Sequence, residues 1–220
     1  MKTALITGAS RGIGLALCKN YLAKGWKVIG VCRQSSAELD QSGAQVIADI
    51  DVTSEAAIAQ LKQTLGSQKL DLVINNAGMF RNETLGNLDS QSIIDQFLVN
   101  ALAPLKVTEA LLDNLAPNAK LAFITSRMGS IADNGSGAYY GYRMSKAALN
   151  AGAVSLARDL ASRGIAVAIL HPGFVQTAMV NYAGDITPEV AADRLTQRIE
   201  ELTPETSGGF WHSNGERLPW

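Results

Sequence analysis

Six short apolar runs recur along the chain: Thr3–Thr7, Lys27–Cys32, Gln45–Ala48, Leu70–Ile74, Lys120–Thr125 and Ile165–Leu170. They are rich in β-branched residues and lack the in-out alternation of a sheet wetted on one face, which is how strands covered on both faces read. Between them lie stretches of helical composition, among them Ile13–Ala23, Glu55–Leu65, Ser90–Leu115 and Ser145–Ala161. Parallel strands require such crossovers. The alternation predicts an α/β fold, a doubly wound parallel sheet with helices on both faces and a ligand at the carboxyl ends of the strands. Toward the end, Thr187-Pro188-Glu189 pairs an N-cap threonine with proline at the first helical position, so a helix runs to about Leu202. A glycine pair then introduces Phe210-Trp211-His212, read as a last edge strand before the Asn214-Gly215 turn.

Composition narrows the partners. With 220 residues and 47% hydrophobic content the chain buries one full core, so residues 1–220 read as a single domain. The formal net charge is −1 and the basic residues are interspersed with acidic ones, which argues against nucleic acid. The apolar run at the N-terminus is too short for a secretion signal, and no stretch is long enough to span a bilayer. Cys18 and Cys32 form no metal or redox spacing and read as buried thiols. The expectation is a cytoplasmic protein with no membrane or metal.

The stretch TGASRGIG, Thr7 to Gly14, joins the first strand to the first helix. Its spacing differs from the common dinucleotide fingerprint, but the physical task is similar. Gly8 makes the turn, Gly12 admits a pyrophosphate to the backbone, and Gly14 lets helix and strand pack closely, which makes the sheet Rossmann-type. The second strand ends Val31-Cys32-Arg33 with no acid to bond a ribose 2′-hydroxyl. Arg11 and Arg33 together suit a 2′-phosphate, hence NADP. Asp51 is read either as an acceptor for an adenine amino group or as a helix cap, a task Thr53 and Ser54 also suit. Asn75-Asn76-Ala77-Gly78 closes the fourth strand with small residues that let backbone lie against a cofactor.

Tyr142 and Lys146 stand four apart in a helical stretch and share one face. A free phenol titrates near ~10, too high for proton transfer near neutrality, and a nearby ammonium lowers it. Ser126, at the end of the fifth strand, presents a hydroxyl to a developing oxyanion. His171 reads as a hydrogen-bonded structural residue, and Arg81 and Arg127 either select acidic substrates or lie on the surface. Met79, Phe80, Met128, Tyr139, Phe174 and Met179 are the apolar candidates for a pocket wall.

Taken in order, T-G-x-x-x-G-x-G at Thr7, N-N-A-G at Asn75, the Ser126, Tyr142 and Lys146 set, and Pro172-Gly173-Phe-Val-Gln-Thr177 resemble the short-chain dehydrogenases/reductases over essentially the whole chain. The ending and the short length resemble the subgroup of sniffer-like carbonyl reductases and C-factor-like proteins. The resemblance implies an NADP(H)-dependent oxidoreductase acting on a small-molecule carbonyl substrate, with Asn100 as fourth catalytic residue ordering a proton-relay water. It implies a cofactor site of Gly8, Ser10, Arg11, Gly12, Ile13, Gly14, Arg33, Asp51, Val52, Asn76, Ala77, Gly78, Tyr142, Lys146, Pro172, Gly173, Val175 and Thr177. From the residues alone, Asn100 is an ordinary helix polar group. A short lid over about 179–207, an open pocket, and a homodimer or homotetramer paired through the long helices are further expectations. The competing readings are a non-catalytic NADP-binding signalling protein, an epimerase or dehydratase, for which the chain lacks a substrate domain, and an enoyl reductase, whose tyrosine stands further from its lysine.

Overall fold

In the computed structural model, which describes residues 1–220, the first apolar run is β1 (Thr3–Thr7), buried at all five positions. Ala4 and Ile6 enter one apolar cluster, and Leu5 enters another on the opposite face. Six more strands follow: β2 (Lys27–Val31), β3 (Gln45–Ile47), β4 (Leu70–Asn75), β5 (Leu115–Ile124), β6 (Ala166–His171) and β7 (Phe210–His212). They form one sheet of order β3-β2-β1-β4-β5-β6-β7 in which every pair is parallel. The single Rossmann-type domain expected from the apolar pattern is therefore the observed one, with Phe210–His212 as its edge strand.

Helices α3 (Glu55–Leu65), α5 (Ala103–Ala110) and α6 (Tyr140–Asp159) cover one face through residues such as Leu61, Val107 and Leu149. Helices α1 (Gly12–Ala23) and α7 (Pro188–Glu201) cover the other through Leu17, Cys18, Leu195 and Ile199. A fully buried leucine or isoleucine contributes about 1.5–3 kcal/mol, so these clusters rather than local propensity hold the crossovers. Short α2 (Ala37–Asp40) is held by its cap: Ser36 accepts from the Leu39 N–H and donates to the Ser10 carbonyl, tying α2 to the glycine turn. No helix is long and apolar enough to cross a membrane. Strand order reverses between β1 and β4, and the crevice of a doubly wound sheet opens there, beyond the carboxyl ends.

Three boundaries differ from the sequence reading by more than two residues. The helix expected over Ser90–Leu115 is α4 (Ser90–Phe97), a π-helical turn at Leu98–Leu102, and then α5, which stops at Ala110. The Ala103 N–H reaches back five residues to the Leu98 carbonyl, and Pro104 has no N–H to offer the Asn100 carbonyl. Leu115 belongs to β5, which begins five residues before the expected Lys120; Pro117-Asn118 hid it by resembling a turn, and Asn118 does adopt φ 59°. Helix α6 begins at Tyr140 instead of Ser145. Of the segment expected as a lid, α7 packs on α1, which leaves only the stretch before Pro188 beside the crevice.

Candidate active site

Gly8, at φ 67°, turns the chain out of β1, and a Cβ there would lie 2.9 Å from the Ala77 Cα. A Cβ on Gly14 would run into the Gly8 carbonyl, so glycine alone lets α1 close on β1. Thr7 fixes the opposite lip: its Oγ1 accepts from the N–H groups of Asn76 (3.0 Å) and Ala77 (3.1 Å). Asn76 returns the tie, its Nδ2 donating to the carbonyls of Thr7 (3.0 Å) and Gly8 (3.2 Å). The Asn76 side chain is thus spent on holding the turn, and Thr7, not singled out from the sequence, shares that work.

The N-terminus of α1 is uncapped. Arg11 before it is extended, no side chain accepts there, and its first turn holds no acid. Free N–H groups at the positive end of a helix suit an anion, and the residues present fit a dinucleotide pyrophosphate. Arg11 and Arg33 are both exposed, and neither has an acidic partner within ion-pair distance. Asp51 accepts from both the N–H (2.9 Å) and the hydroxyl (2.7 Å) of Thr53, and these bonds, then nearby Arg33, hold its carboxyl below the usual value. Ser54, not Asp51, caps α3. Ile13 and Val52 pack half-buried against the two apolar clusters. On the far side Gly173 turns at φ 96°, the Pro172 carbonyl accepts from Ser213, and Val175 is buried. A Cβ on Gly12 would lie 3.3 Å from Thr177 Cγ2, so the loop after β6 closes over the glycine turn.

Ser126, Tyr142, Lys146 and Asn100 gather at the carboxyl ends of β4 and β5. Lys146 is buried, and its Nζ donates to the Ile124 carbonyl (2.9 Å) while lying 5.8 Å from the centre of the Tyr142 ring. Asn100 is fully buried. Its Oδ1 accepts the Met79 N–H (2.8 Å) and its Nδ2 donates to the Met79 carbonyl (2.9 Å) and the Ser145 hydroxyl (3.0 Å). Gly78 keeps this junction open, since a Cβ there would lie 3.2 Å from Asn100 Oδ1 and 3.8 Å from Lys146 Nζ. Ser126 is buried, and its hydroxyl accepts the Met128 N–H (3.1 Å). Phe80 meets Tyr142 edge-on at 4.9 Å and Tyr139 at 5.5 Å, forming an aromatic wall.

Electrostatics departs from the expectation of a lowered phenol. Burial pushes the Tyr142 phenol up to about 12, against the Ser126 side chain, which lowers it. Burial likewise lowers the Lys146 ammonium to about 7. Desolvation dominates both shifts, and on the phenol only the Ser126 side chain opposes it. The phenol is therefore protonated at neutral pH, as a proton donor must be.

Other candidates fall away from the chemistry. Arg127 is held by Asp133 (2.6 Å) and Glu216 (2.9 Å). Arg81 is exposed and bonds the Phe80 carbonyl. The ring of His171 is not hydrogen-bonded as expected: its Nδ1 is buried without a partner, and burial, with His212 beside it at 4.8 Å, depresses it to about 3. It stays neutral.

The model of the family described as short chain dehydrogenase matches residues 2–187. The chain is 40% identical to the 1-hydroxy-2-glutathionyl-2-methyl-3-butene dehydrogenase of Rhodococcus sp. (strain AD45) over all of both chains. Among solved structures it is similar to the carbonyl reductase Sniffer of D. melanogaster (TM-score 0.91, 28% identity, all of both chains). It is also similar to an NADPH-bound carbonyl reductase from chicken fatty liver (TM-score 0.89, 27% identity, 100% of this chain and 99% of that one).

Proposed function

The chain belongs to the short chain dehydrogenase family, and from that premise we propose that it is an NADPH-dependent oxidoreductase that moves hydride between the nicotinamide and a carbonyl/alcohol pair. The substrate is a ketone, aldehyde or quinone. The observation that carries this reading is the gathering of Ser126 and Tyr142 around a buried Lys146, whose Nζ lies 5.8 Å from the centre of the Tyr142 ring and donates to the Ile124 carbonyl. A pocket built only to bind has no need of that costly arrangement, which argues against a non-catalytic signalling role.

The N–H groups opening α1 hold the pyrophosphate, and Arg11 and Arg33 hold the 2′-phosphate. Gly78, Val175 and Thr177 border the nicotinamide end. When bound, the reduced cofactor supplies a hydride to the carbonyl carbon. Tyr142 gives its proton to the carbonyl oxygen, so the product is the neutral alcohol and a tyrosinate remains. Ser126 donates a hydrogen bond to the same oxygen as charge gathers on it. Lys146 stabilises the tyrosinate and holds the ribose, and the Asn100 region orders the water that returns the proton.

The test is NADPH consumption against a panel of aldehydes, ketones and quinones, with a glutathionylated alcohol and NADP added because a full-length relative is named for such a substrate. Tyr142→Phe keeps the ring in its edge-on contact with Phe80 and lowers turnover by roughly 100- to 10,000-fold with NADPH affinity retained. Wild-type turnover in that variant would refute the assignment of the acid.

A further inference from the structure

Helix α6 delivers Tyr142, yet its own sequence leaves it uncapped. Tyr139, the residue before it, sits at φ 54° and offers no side-chain acceptor to the first turn. Opening N–H groups need one. It comes from far earlier in the chain: Glu83, only 2% exposed, accepts the Gly141 N–H on Oε2 (3.1 Å), and its main-chain carbonyl accepts the Tyr139 N–H (2.8 Å). The other carboxyl oxygen accepts from the Ser92 hydroxyl (2.5 Å) and from Gln96 Nε2 (2.7 Å), both on α4. Gln96, itself fully buried, accepts the Arg81 N–H (2.9 Å). A Cβ at position 141 would lie 3.1 Å from Glu83 Oε2, so the helix start and the carboxyl group are fitted to each other.

This one carboxyl group therefore joins three parts: α4, the start of α6, and the segment that carries Phe80 onto the Tyr142 ring. We propose that Glu83 is a positioning residue for the reaction, capping the Tyr142 helix from outside it and fixing the phenol and the Phe80 wall in register without touching substrate. The proposal rests on the reading of Tyr142 as the proton donor. A misplacement of about 1 Å in such a group costs on the order of 100-fold in rate, so the expected effect is on turnover.

The test is Glu83→Gln, which keeps the shape but turns an NH2 toward donors, either the Gly141 N–H or the Gln96 Nε2 and the Ser92 hydroxyl, of which only the hydroxyl can rotate to accept. It is measured alone and in the Tyr142→Phe background, beside NADPH binding by calorimetry. Alone it lowers kcat about 10-fold or more, with KM, NADPH affinity and binding stoichiometry unchanged. In the Tyr142→Phe background it adds no further loss, because the group it positions is already gone. Wild-type kcat in Glu83→Gln, or an equal further loss in both backgrounds, overturns the proposal. Failure of the underlying reading looks different: Tyr142→Phe by itself then keeps its turnover. If Glu83→Gln does not bind NADPH, Ser92→Ala decides, since it removes one donor to the same carboxyl group from the surface of α4. It is expected to lower kcat by about 2- to 5-fold with the same dependence on Tyr142, and full kcat there would assign Glu83 to stability alone and overturn the proposal.

Discussion

Lys146 is 4% exposed, and burial brings its ammonium from an ordinary 10.5 down to about 7. In the unfolded chain the same group keeps its proton up to the ordinary value. Between those two values the unfolded state binds more protons than the folded one, so stability rises with pH across the window and is lowest at and below its lower edge. The full shift corresponds to about 5 kcal/mol, and the part gained between about pH 7 and about pH 9 is about 2 kcal/mol. Lys146→Met keeps an unbranched side chain and removes the charge. The variant is therefore expected to be more stable than wild type near neutrality, with its advantage shrinking by about 2 kcal/mol as the pH is raised to about 9. Turnover and NADPH affinity are expected to fall in the same variant, because the proposed function has the lysine serving both. Urea denaturation of the two proteins without cofactor, at both pH values, measures the difference, and other titrating groups cancel between them. A difference that stays constant within about 0.5 kcal/mol across that range would refute the argument.

On the proposed reading, Arg33→Ala is expected to narrow a preference for NADPH over NADH by roughly 10- to 100-fold, the worth of one charge-assisted phosphate bond; calorimetry with both cofactors reads it, and an unchanged ratio removes Arg33 from the site. The half-exposed row Ile94, Phe97, Leu98 and Leu102 along α4 and the turn after it suits pairing between copies. Light scattering at assay concentration is expected to give a dimer or tetramer, and a mass of 23.3 kDa would refute it.

The sheet was legible because its strands are buried on both faces and therefore read as apolar runs. The glycine turn was legible because Gly8 and Gly14 are demanded by contacts within one short segment. Tyr142 and Lys146 were found through helical spacing. What was not legible depends on partners distant in the chain. The true start of α6 is set by Glu83, 58 residues before Gly141, and no local pattern marks it. The break in the helix after Ser90 turns on Asn100 and Pro104 together: proline removes a donor, while the asparagine side chain leaves the helix to bind Met79. Thr7 stood in plain view in the motif, but its work, accepting two N–H groups from the residues just after β4, shows only once β1 and β4 are neighbours.

The two walls of the crevice are built differently. On one side, residues 79–83 are held by side chains at nearly every step: Asn100 on both main-chain groups of Met79, Gln96 on Arg81, and the Glu83 carboxyl group on α4 and α6. On the other, the segment from Phe174 to Ile186 folds back on itself through main-chain bonds such as Gln176 to Ile186 and Asp185 to Phe174, with one side-chain bond, Gln176 to Gly184. Its Phe174, Met179 and Tyr182 are exposed, and Asn181 and Tyr182 adopt positive φ. Proton transfer tolerates little displacement, whereas apolar contact with a substrate tolerates much. The anchored wall therefore suits proton transfer, and the sparsely anchored one suits apolar contact with a substrate.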